Sequence, residues 1–507
     1  MYEISEHEIV ERLQFDNPWW KEGLDAPLPY SRMPRRKYFA PFLAAVRDRS
    51  VRRAVVLMGP RRVGKTVMIQ QTIEELLRGD IKPHSILYLS LETPLYTGMA
   101  LERILKLYMS LHGINRKDQV YVFFDEIQYL KDWEVHLKSL VDSYELFKFI
   151  ATGSAAAALR MKSNESGAGR FSDFELPPLT FAEYLQFVGR EEELIECTEG
   201  RNPEERYHYE ARDVGGLNAE FINYLNYGGY PEAVFSETVQ SNPGQFIKSD
   251  IIDKVLLRDL PSLYGISDIQ ELNRLFTVLA YNTGNEVSLE ELSKSSGVAK
   301  NTIKRYLEYL EAAFLITRVE RIDNNARRFK RAVCFKVYLT NPSMRAALFG
   351  HINPESEAMG ALTETAIFSQ WRHSQSADLF YARWNNGEID IVSIDSTTQS
   401  PQWIVEVKWS DRALKDDKLL RHCVQFATNH RSVSQPVLVT TRNETGEKTV
   451  GEVDFTFVPS SLYAYILGAN ILRIRTRTPR VAPIPSATRD TKLKSAREKD
   501  STKADDA

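Results

Sequence analysis

Cysteine is scarce in this chain, and its scarcity excludes two classes of protein at once. Cys197, Cys334 and Cys423 are the only three among 507 residues, and they stand far apart. They show no metal-ligand spacing and cannot staple a small secreted scaffold, so they read as reduced thiols of an intracellular, cytoplasmic protein. Long apolar runs are missing too. None approaches the roughly 20 residues that span a bilayer, which predicts no membrane partner. The opening residues Met1 to Val10 are polar and acidic and lack the basic-then-apolar order of a secretory leader. A surplus of one charge is also absent: the formal net charge is −3, so nucleic acid must be met by local basic patches.

What remains is the composition of an ordinary globular protein, long enough for roughly three or four domains. Its most informative stretch begins with the apolar run Ala54 to Met58, which reads as a buried parallel strand. Gly59-Pro60-Arg61-Arg62-Val63-Gly64-Lys65-Thr66 follows and fits G-x-x-x-x-G-K-[ST]. Val67, Ile69, Ile73, Leu76 and Leu77 then repeat at helical spacing. Strand, loop and helix in this order are the context of a phosphate-binding loop, with backbone N–H groups and the helix N-terminus aimed at the phosphates. Lys65 is expected to reach the β- and γ-phosphates of ATP, and the Thr66 hydroxyl to take a place on Mg²⁺.

Val120 to Leu130 supplies a second component, a strand of five apolar residues ending in Asp125-Glu126. Beside a phosphate loop, Asp125 is expected to hold Mg²⁺ through water and Glu126 to polarise the attacking water. Phe147 to Ile150 reads as a further strand, after which Thr152 or Ser154 is placed to sense the γ-phosphate. Arg170, in a Gly-rich loop, has two readings. It reaches the nucleotide of a neighbouring subunit in a homo-oligomer, or it anchors its own loop.

These segments resemble the prokaryotic AAA-type ATPases that carry a DUF4143 C-terminal region. The resemblance rests on Gly59 to Thr66, Phe123-Phe124-Asp125-Glu126-Ile127-Gln128, Thr152-Gly153-Ser154-Ala155 and Gly167-Ala168-Gly169-Arg170-Phe171. Leu176-Pro177-Pro178-Leu179-Thr180-Phe181 and Tyr227-Gly228-Gly229-Tyr230-Pro231-Glu232-Ala233 extend it, from about residue 15 to about residue 470.

Ahead of the core, Asn17-Pro18-Trp19-Trp20 reads as docking onto the core, since large aromatics are normally buried in their own fold, with a partner's surface as the other reading. Beyond it, residues 183–260 read as mostly helical, a small lid, with a charged loop from Glu191 to Gly216 and a helix, Ile251 to Leu260, closed by Pro261. Asp268 to Phe349 then reads as helix, capped helix, turn, helix and hairpin, the order of a winged helix. On its third helix Lys300, Asn301, Lys304 and Arg305 face outward, where a recognition helix would meet DNA. Arg327, Arg328, Lys330 and Arg331 add charge in the wing; an interdomain or oligomer contact is the other reading of this face.

A second chemical constellation lies further on. Asp390 stands among apolar neighbours in a strand that returns from a turn at Asn385-Asn386-Gly387. Glu406 and Lys408 share a face of the next strand, and Glu364 sits on an upstream helix. Asp, then Glu-x-Lys, resembles the PD-(D/E)xK nuclease superfamily. That resemblance implies Mg²⁺ held by Asp390, Glu406 and Glu364, with Lys408 orienting the attacking water. Glu388 is a further candidate ligand, which alternation along a regular strand would turn away from the site. The Thr-, Pro-, Ser- and Asp-rich tail with scattered basic residues after Arg473 reads as disordered.

The fold class expected is therefore α/β: an N-terminal segment 1–50, a P-loop AAA-type core 51–182, a helical lid 183–262, a winged helix 263–350, a restriction-endonuclease-like domain 351–472 and a tail 473–507. Two functions fit. One is an ATP-hydrolysing protein that cuts DNA at a Mg²⁺-dependent site, in defence or mobile-element biology. The other is an ATP-driven switch or remodeller whose C-terminal domain only binds DNA or protein.

Overall fold

The apolar runs that carry the two nucleotide motifs lie in one parallel sheet. A computed structural model describes residues 5–26, 28–79, 81–96, 98–153, 169–199, 207–323, 325–326, 334–374, 378–385 and 387–476. Strands β1 (Ala54–Met58), β2 (Ile86–Ser90), β3 (Val120–Asp125), β4 (Phe147–Gly153) and β5 (Phe171–Glu175) pair in the order β2-β3-β4-β1-β5, all parallel. β1, β3 and β4 are buried along their whole length, as expected of strands covered on both faces. In this order β4 separates β1 from β3, so Thr152 at its end stands between the phosphate loop and Asp125.

β2 is an edge strand, and an uncovered edge is a row of unpaired backbone groups. The N-terminal segment covers it. Asn17 donates from Nδ2 to Tyr88 O at 3.0 Å and accepts from Tyr88 N at 2.7 Å, much as a neighbouring strand would. The indoles of Trp19 and Trp20 both donate to Ile86 O, at 3.2 and 2.8 Å. Both rings are buried against the core, where the sequence places them.

The helical part that follows is joined to this core by a buried ion pair. Thr180 and Glu183 form a capping box on the helix Phe181–Phe187, and Glu183 also meets Arg36, Nη2 to Oε2 at 2.7 Å and Nε to Oε1 at 3.0 Å. Arg36 donates further to Val63 O of the phosphate loop and to Pro177 O.

Two expectations for residues 183–262 need correction. The charged stretch after Glu191 is not all loop: β6 (Ile195–Glu199) and β7 (Tyr207–Ala211) pair as an antiparallel hairpin. Glu196, His208 and Glu210 stand on an exposed face, which disguised the period-two pattern. Pro261 does not close a helix either. Ile247–Asp253 and Val255–Asp259 are π-helical and run into Leu260–Tyr264, with Pro261 in the first turn, where no intrahelical N–H is needed. Gly265, left-handed at φ +61°, ends the run.

The remaining strands are β8 (Glu286–Ser288), β9 (Ile316–Ile322), β10 (Cys334–Leu339), β11 (Leu379–Trp384), β12 (Gly387–Ile394), β13 (Pro401–Glu406), β14 (Val437–Thr441), β15 (Gly446–Val450) and β16 (Val453–Pro459). They form one nine-stranded sheet, β15-β16-β14-β13-β12-β11-β9-β10-β8. Helices Ile269–Tyr281, Leu289–Ser296 and Lys300–Ala312 accompany β8–β10, and β9 joins β11 in parallel through Arg321–Tyr381 and Ile322–Ala382. The division drawn at residue 350 from the sequence thus falls within a continuous sheet. The helix Ser460–Thr476 returns to pack on Met359–Trp371 and Phe181–Phe187. At Gly468 an added Cβ would lie 2.9 Å from the Thr180 Cβ.

Glu183→Gln leaves Arg36 buried without a charged partner. It should lower stability by about 3–5 kcal/mol, against about 1 kcal/mol for Ser5→Ala at the exposed capping box of the first helix. Chemical denaturation of the two variants decides this; equal small losses would mean that the buried pair does not hold the parts together.

Candidate functional site

The phosphate loop is built by a close backbone approach. Gly59 follows β1, and a Cβ there would stand 2.2 Å from Leu176 O, so only glycine lets the two chains pass. Gly64 takes φ +94° and begins the helix Lys65–Arg78 with no side-chain cap, leaving that helix's first N–H groups for a ligand. Arg62 also sits at positive φ, +63°, a strained conformation of the kind found at binding loops. Lys65 is folded across the loop, its Nζ donating to Gly59 O at 3.0 Å and Pro60 O at 2.8 Å. Burial lowers its pKa from the ordinary lysine range.

Asp125 is the centre of the site. Its Oδ2 accepts from Thr66 Oγ1 at 2.9 Å and from Tyr88 OH at 3.0 Å, and its Oδ1 accepts from Thr152 Oγ1. Burial raises its pKa and the charge of Glu126 adds to that, while the three hydroxyl donors oppose it. Glu126 is held in a left-handed conformation, φ 55° and ψ 50°. Its N–H donates to Thr152 Oγ1 at 2.9 Å and its Oε2 accepts from Gln128 Nε2. Thr152 therefore links the two acids. Tyr88 and Gln128 were not singled out in the sequence; Tyr88 looked like any aromatic of a buried strand.

Magnesium favours hard oxygen ligands. The Thr66 hydroxyl and Asp125 carboxylate, beside an uncapped helix start and a buried lysine, fit a magnesium-bound nucleoside triphosphate. The other residues assigned to this loop are placed differently. Arg61 makes a double contact with Asp259, Nε to Oδ2 at 2.7 Å and Nη2 to Oδ1 at 2.9 Å. Arg62 reaches Glu232 and Asp250, each at 2.9 Å. Both guanidiniums thus tie the loop to the segment 232–259. Arg170 pairs with Asp142 of its own chain at 2.5 Å, the anchoring arrangement. Ser154 lies outside the described residues.

The second constellation is brought together by β10, β12, β13 and the helix Met359–Trp371. Lys408 Nζ lies 2.6 Å from Glu406 Oε1 and 3.3 Å from Asp390 Oδ2, which also accepts from Val407 N at 2.8 Å. Lys336 Nζ lies 2.8 Å from Glu364 Oε1, 2.7 Å from Glu388 Oε1 and 3.8 Å from Asp390 Oδ1. Glu388, named in the sequence as a further candidate ligand, stands in this cluster: two residues before Asp390 on one strand, it shares that residue's face. Burial pushes Glu364 up to about 7 against the pull of Lys336. Burial would raise Asp390 as well, but Lys408 and Lys336 hold it below the usual carboxylate range.

Three neighbours went unnoticed in the sequence. Lys336 sits in an apolar strand with nothing to show its partners. His422 Nε2 lies 3.0 Å from Glu406 Oε1, and Cys423 Sγ 3.9 Å from Glu406 Oε2, both from the helix Arg421–Asn429. Asp390, Glu406 and Glu364 are of the ligand type magnesium takes, yet each already meets a lysine. Lys300, Asn301, Lys304 and Arg305 lie exposed in one row of the helix Lys300–Ala312, whose Ile303, Tyr306, Leu307 and Leu310 are buried. The wing residues Arg327, Arg328, Lys330 and Arg331 lie outside the described residues.

Comparison with known proteins agrees with the first site. A family model described as an AAA domain, AAA_14, matches residues 51–185. A second, a domain of unknown function named DUF8612, matches residues 218–355; the DUF4143 region expected at 351–472 has no matching family model among these. An uncharacterized protein of Methanocaldococcus jannaschii is 26% identical over 388 residues, 72% of this chain and 79% of its own. An uncharacterized protein of Haemophilus influenzae is 25% identical over 343 residues, 67% of this chain and 78% of its own. Among solved structures, AMPPCP-bound DnaA from Aquifex aeolicus is similar at a TM-score of 0.28 and 13% identity, over 57% of this chain and 91% of that one. The chain thus carries an AAA domain, and no helix among the described residues is long and apolar enough to cross a membrane.

Gly59→Ala forces the Leu176 backbone away from the loop and should lower stability by about 1–3 kcal/mol. A thermal melt equal to that of the unsubstituted chain would show that the close approach does not constrain the loop.

Proposed function

We propose that this chain is a magnesium-dependent ATPase whose turnover governs its engagement with DNA. One observation carries the ATPase reading: Asp125 accepts hydrogen bonds from Thr66 and Thr152 at the mouth of an uncapped helix that begins with buried Lys65. In this reading Lys65 binds the β- and γ-phosphates, and Thr66 and Asp125 hold the metal. Magnesium, when bound, offsets charge on the transferred phosphoryl group. Glu126 takes the proton of the attacking water, and Thr152 keeps that carboxylate in register through the Glu126 N–H.

The exposed row Lys300, Asn301, Lys304 and Arg305 is the surface proposed to meet DNA, since it projects from a helix whose other face is buried. At the acidic site the proposed chemistry is phosphodiester cleavage, with Asp390, Glu406 and Glu364 as metal ligands and Lys408 orienting water. A second reading is favoured by the ion pairs of Lys336 and Lys408. There the carboxylates are already compensated, and the C-terminal part only binds DNA or protein while the ATPase works as a switch.

Lys65→Ala should abolish nucleotide binding. Glu126→Gln should keep binding while turnover falls by about 10²–10⁴-fold. Titration with a fluorescent ATP analogue and a phosphate-release assay measure the two, and unchanged hydrolysis in either variant would remove the role assigned to that residue. For the acidic site, purified protein is incubated with DNA and Mg²⁺ or Mn²⁺, with and without ATP. Cleavage that disappears in Lys408→Ala supports the nuclease reading; absence of cleavage, or cleavage that survives the substitution, leaves the switch.

A further inference from the structure

We infer that Lys336 is the built-in cation of the acidic site, filling with its ammonium the position among Glu364, Glu388 and Asp390 that a divalent ion would otherwise take. The inference rests on reading the site as one able to hold a metal, and adds that its own chain competes for it.

Three carboxylates from two elements converge on this one nitrogen, at 2.8, 2.7 and 3.8 Å. An ammonium offers three donors and no acceptor; Glu364 and Glu388 lie within hydrogen-bond distance of it, and Asp390, at 3.8 Å, is met by charge alone. Lys336 is only 2% exposed, and a charge so deeply buried persists only when paired. The pairing here is mutual. Glu364 Oε1 accepts from both Lys336 and Tyr338 OH, the latter at 2.5 Å. Asp390 divides its oxygens, Oδ1 toward Lys336 and Oδ2 toward Lys408 and Val407 N. Glu364, Glu388, Asp390 and Glu406 bring four potential negative charges, which the buried Lys336 and the half-exposed Lys408 and Arg383 meet, with His422 beside Glu406.

Lys336 also comes from a different part of the chain than its partners. It lies on β10, which pairs with β8 and β9, whereas Glu388 and Asp390 lie on β12. The joint between those strand groups, β9 with β11, is two residue pairs long. Lys336 therefore acts across this joint as a positioning residue. While it is in place, a divalent ion meets a like charge where its ligands converge.

The test measures Mn²⁺ binding to the full chain without nucleotide, by loss of the free-Mn²⁺ paramagnetic resonance signal. Lys336→Met, Lys336→Gln and Lys336→Arg are each compared with and without Asp390→Asn, which isolates this site from Asp125. Lys336→Met and Lys336→Gln should gain at least about tenfold in Asp390-dependent affinity (about 1.4 kcal/mol), and Lys336→Arg should gain nothing. If the unsubstituted chain already binds Mn²⁺ through Asp390 as tightly as these variants, the inference is overturned and the metal-site reading stands. If no protein shows Asp390-dependent binding, both fall. Should Lys336→Met unfold, Mn²⁺ restoring its far-ultraviolet dichroism supports the inference, and failure of Mn²⁺ to restore it counts against it.

Discussion

The buried pair of Arg36 and Glu183 is the constraint on which the rest of the arrangement depends. One guanidinium meets a carboxylate with two parallel bonds and spends its remaining donors on backbone carbonyls of the phosphate loop and of the Pro177-Pro178 exit. Glu183 also closes the capping box of the helix that follows. The N-terminal segment, the loop and the helical part are thus fixed by groups that are almost wholly removed from water. A pair so buried is costly to form and more costly to break, because either partner alone would be an uncompensated charge.

A similar arrangement recurs on the outer side of the loop. Arg61 and Arg62 spend their charge on Asp259, Glu232 and Asp250. The loop is therefore tied to two sets of acids, to Glu183 through Arg36 and to Glu232, Asp250 and Asp259 through its own Arg61 and Arg62. Ile251 and Leu256 of the π-helical segment belong to the same packed core as Phe276, Leu307 and Phe335, beneath the outward-facing basic helix. Packing is continuous from Val63 of the loop to that helix.

Much of the nucleotide site was legible because its logic is local. Gly59, Gly64, Lys65 and Thr66 act within one strand, one turn and one helix, and the spacing of the motif is the geometry of that unit. Asp125 and Glu126 were singled out only because a phosphate-loop motif stands in the same chain; alone, an apolar strand ending in two acids suggests a solvated turn. Tyr88 and Gln128 were not, since their importance lies only in which carboxylate they reach. The expectations that failed had the same cause. Pro261 looked like a stop because a π-helical approach leaves no mark in composition, and the β6–β7 hairpin was hidden in a charged stretch.

The sequence by itself determined the strand–loop–helix unit, the acidic strand end, the buried aromatic pair at Trp19-Trp20, and the opposition of core and exposed residues on Lys300–Ala312. Each of these follows from chemistry within a few consecutive residues. The tertiary structure decided what depends on separation in the chain. It set β4 between β1 and β3, joined β9 to β11 so that two expected domains share a sheet, and brought Lys336 to Glu364, Glu388 and Asp390. A lone lysine in an apolar strand states only that a negative partner must exist, since burial without one is prohibitive. Which carboxylates answer it is settled by strand order, and strand order is a property of the whole fold.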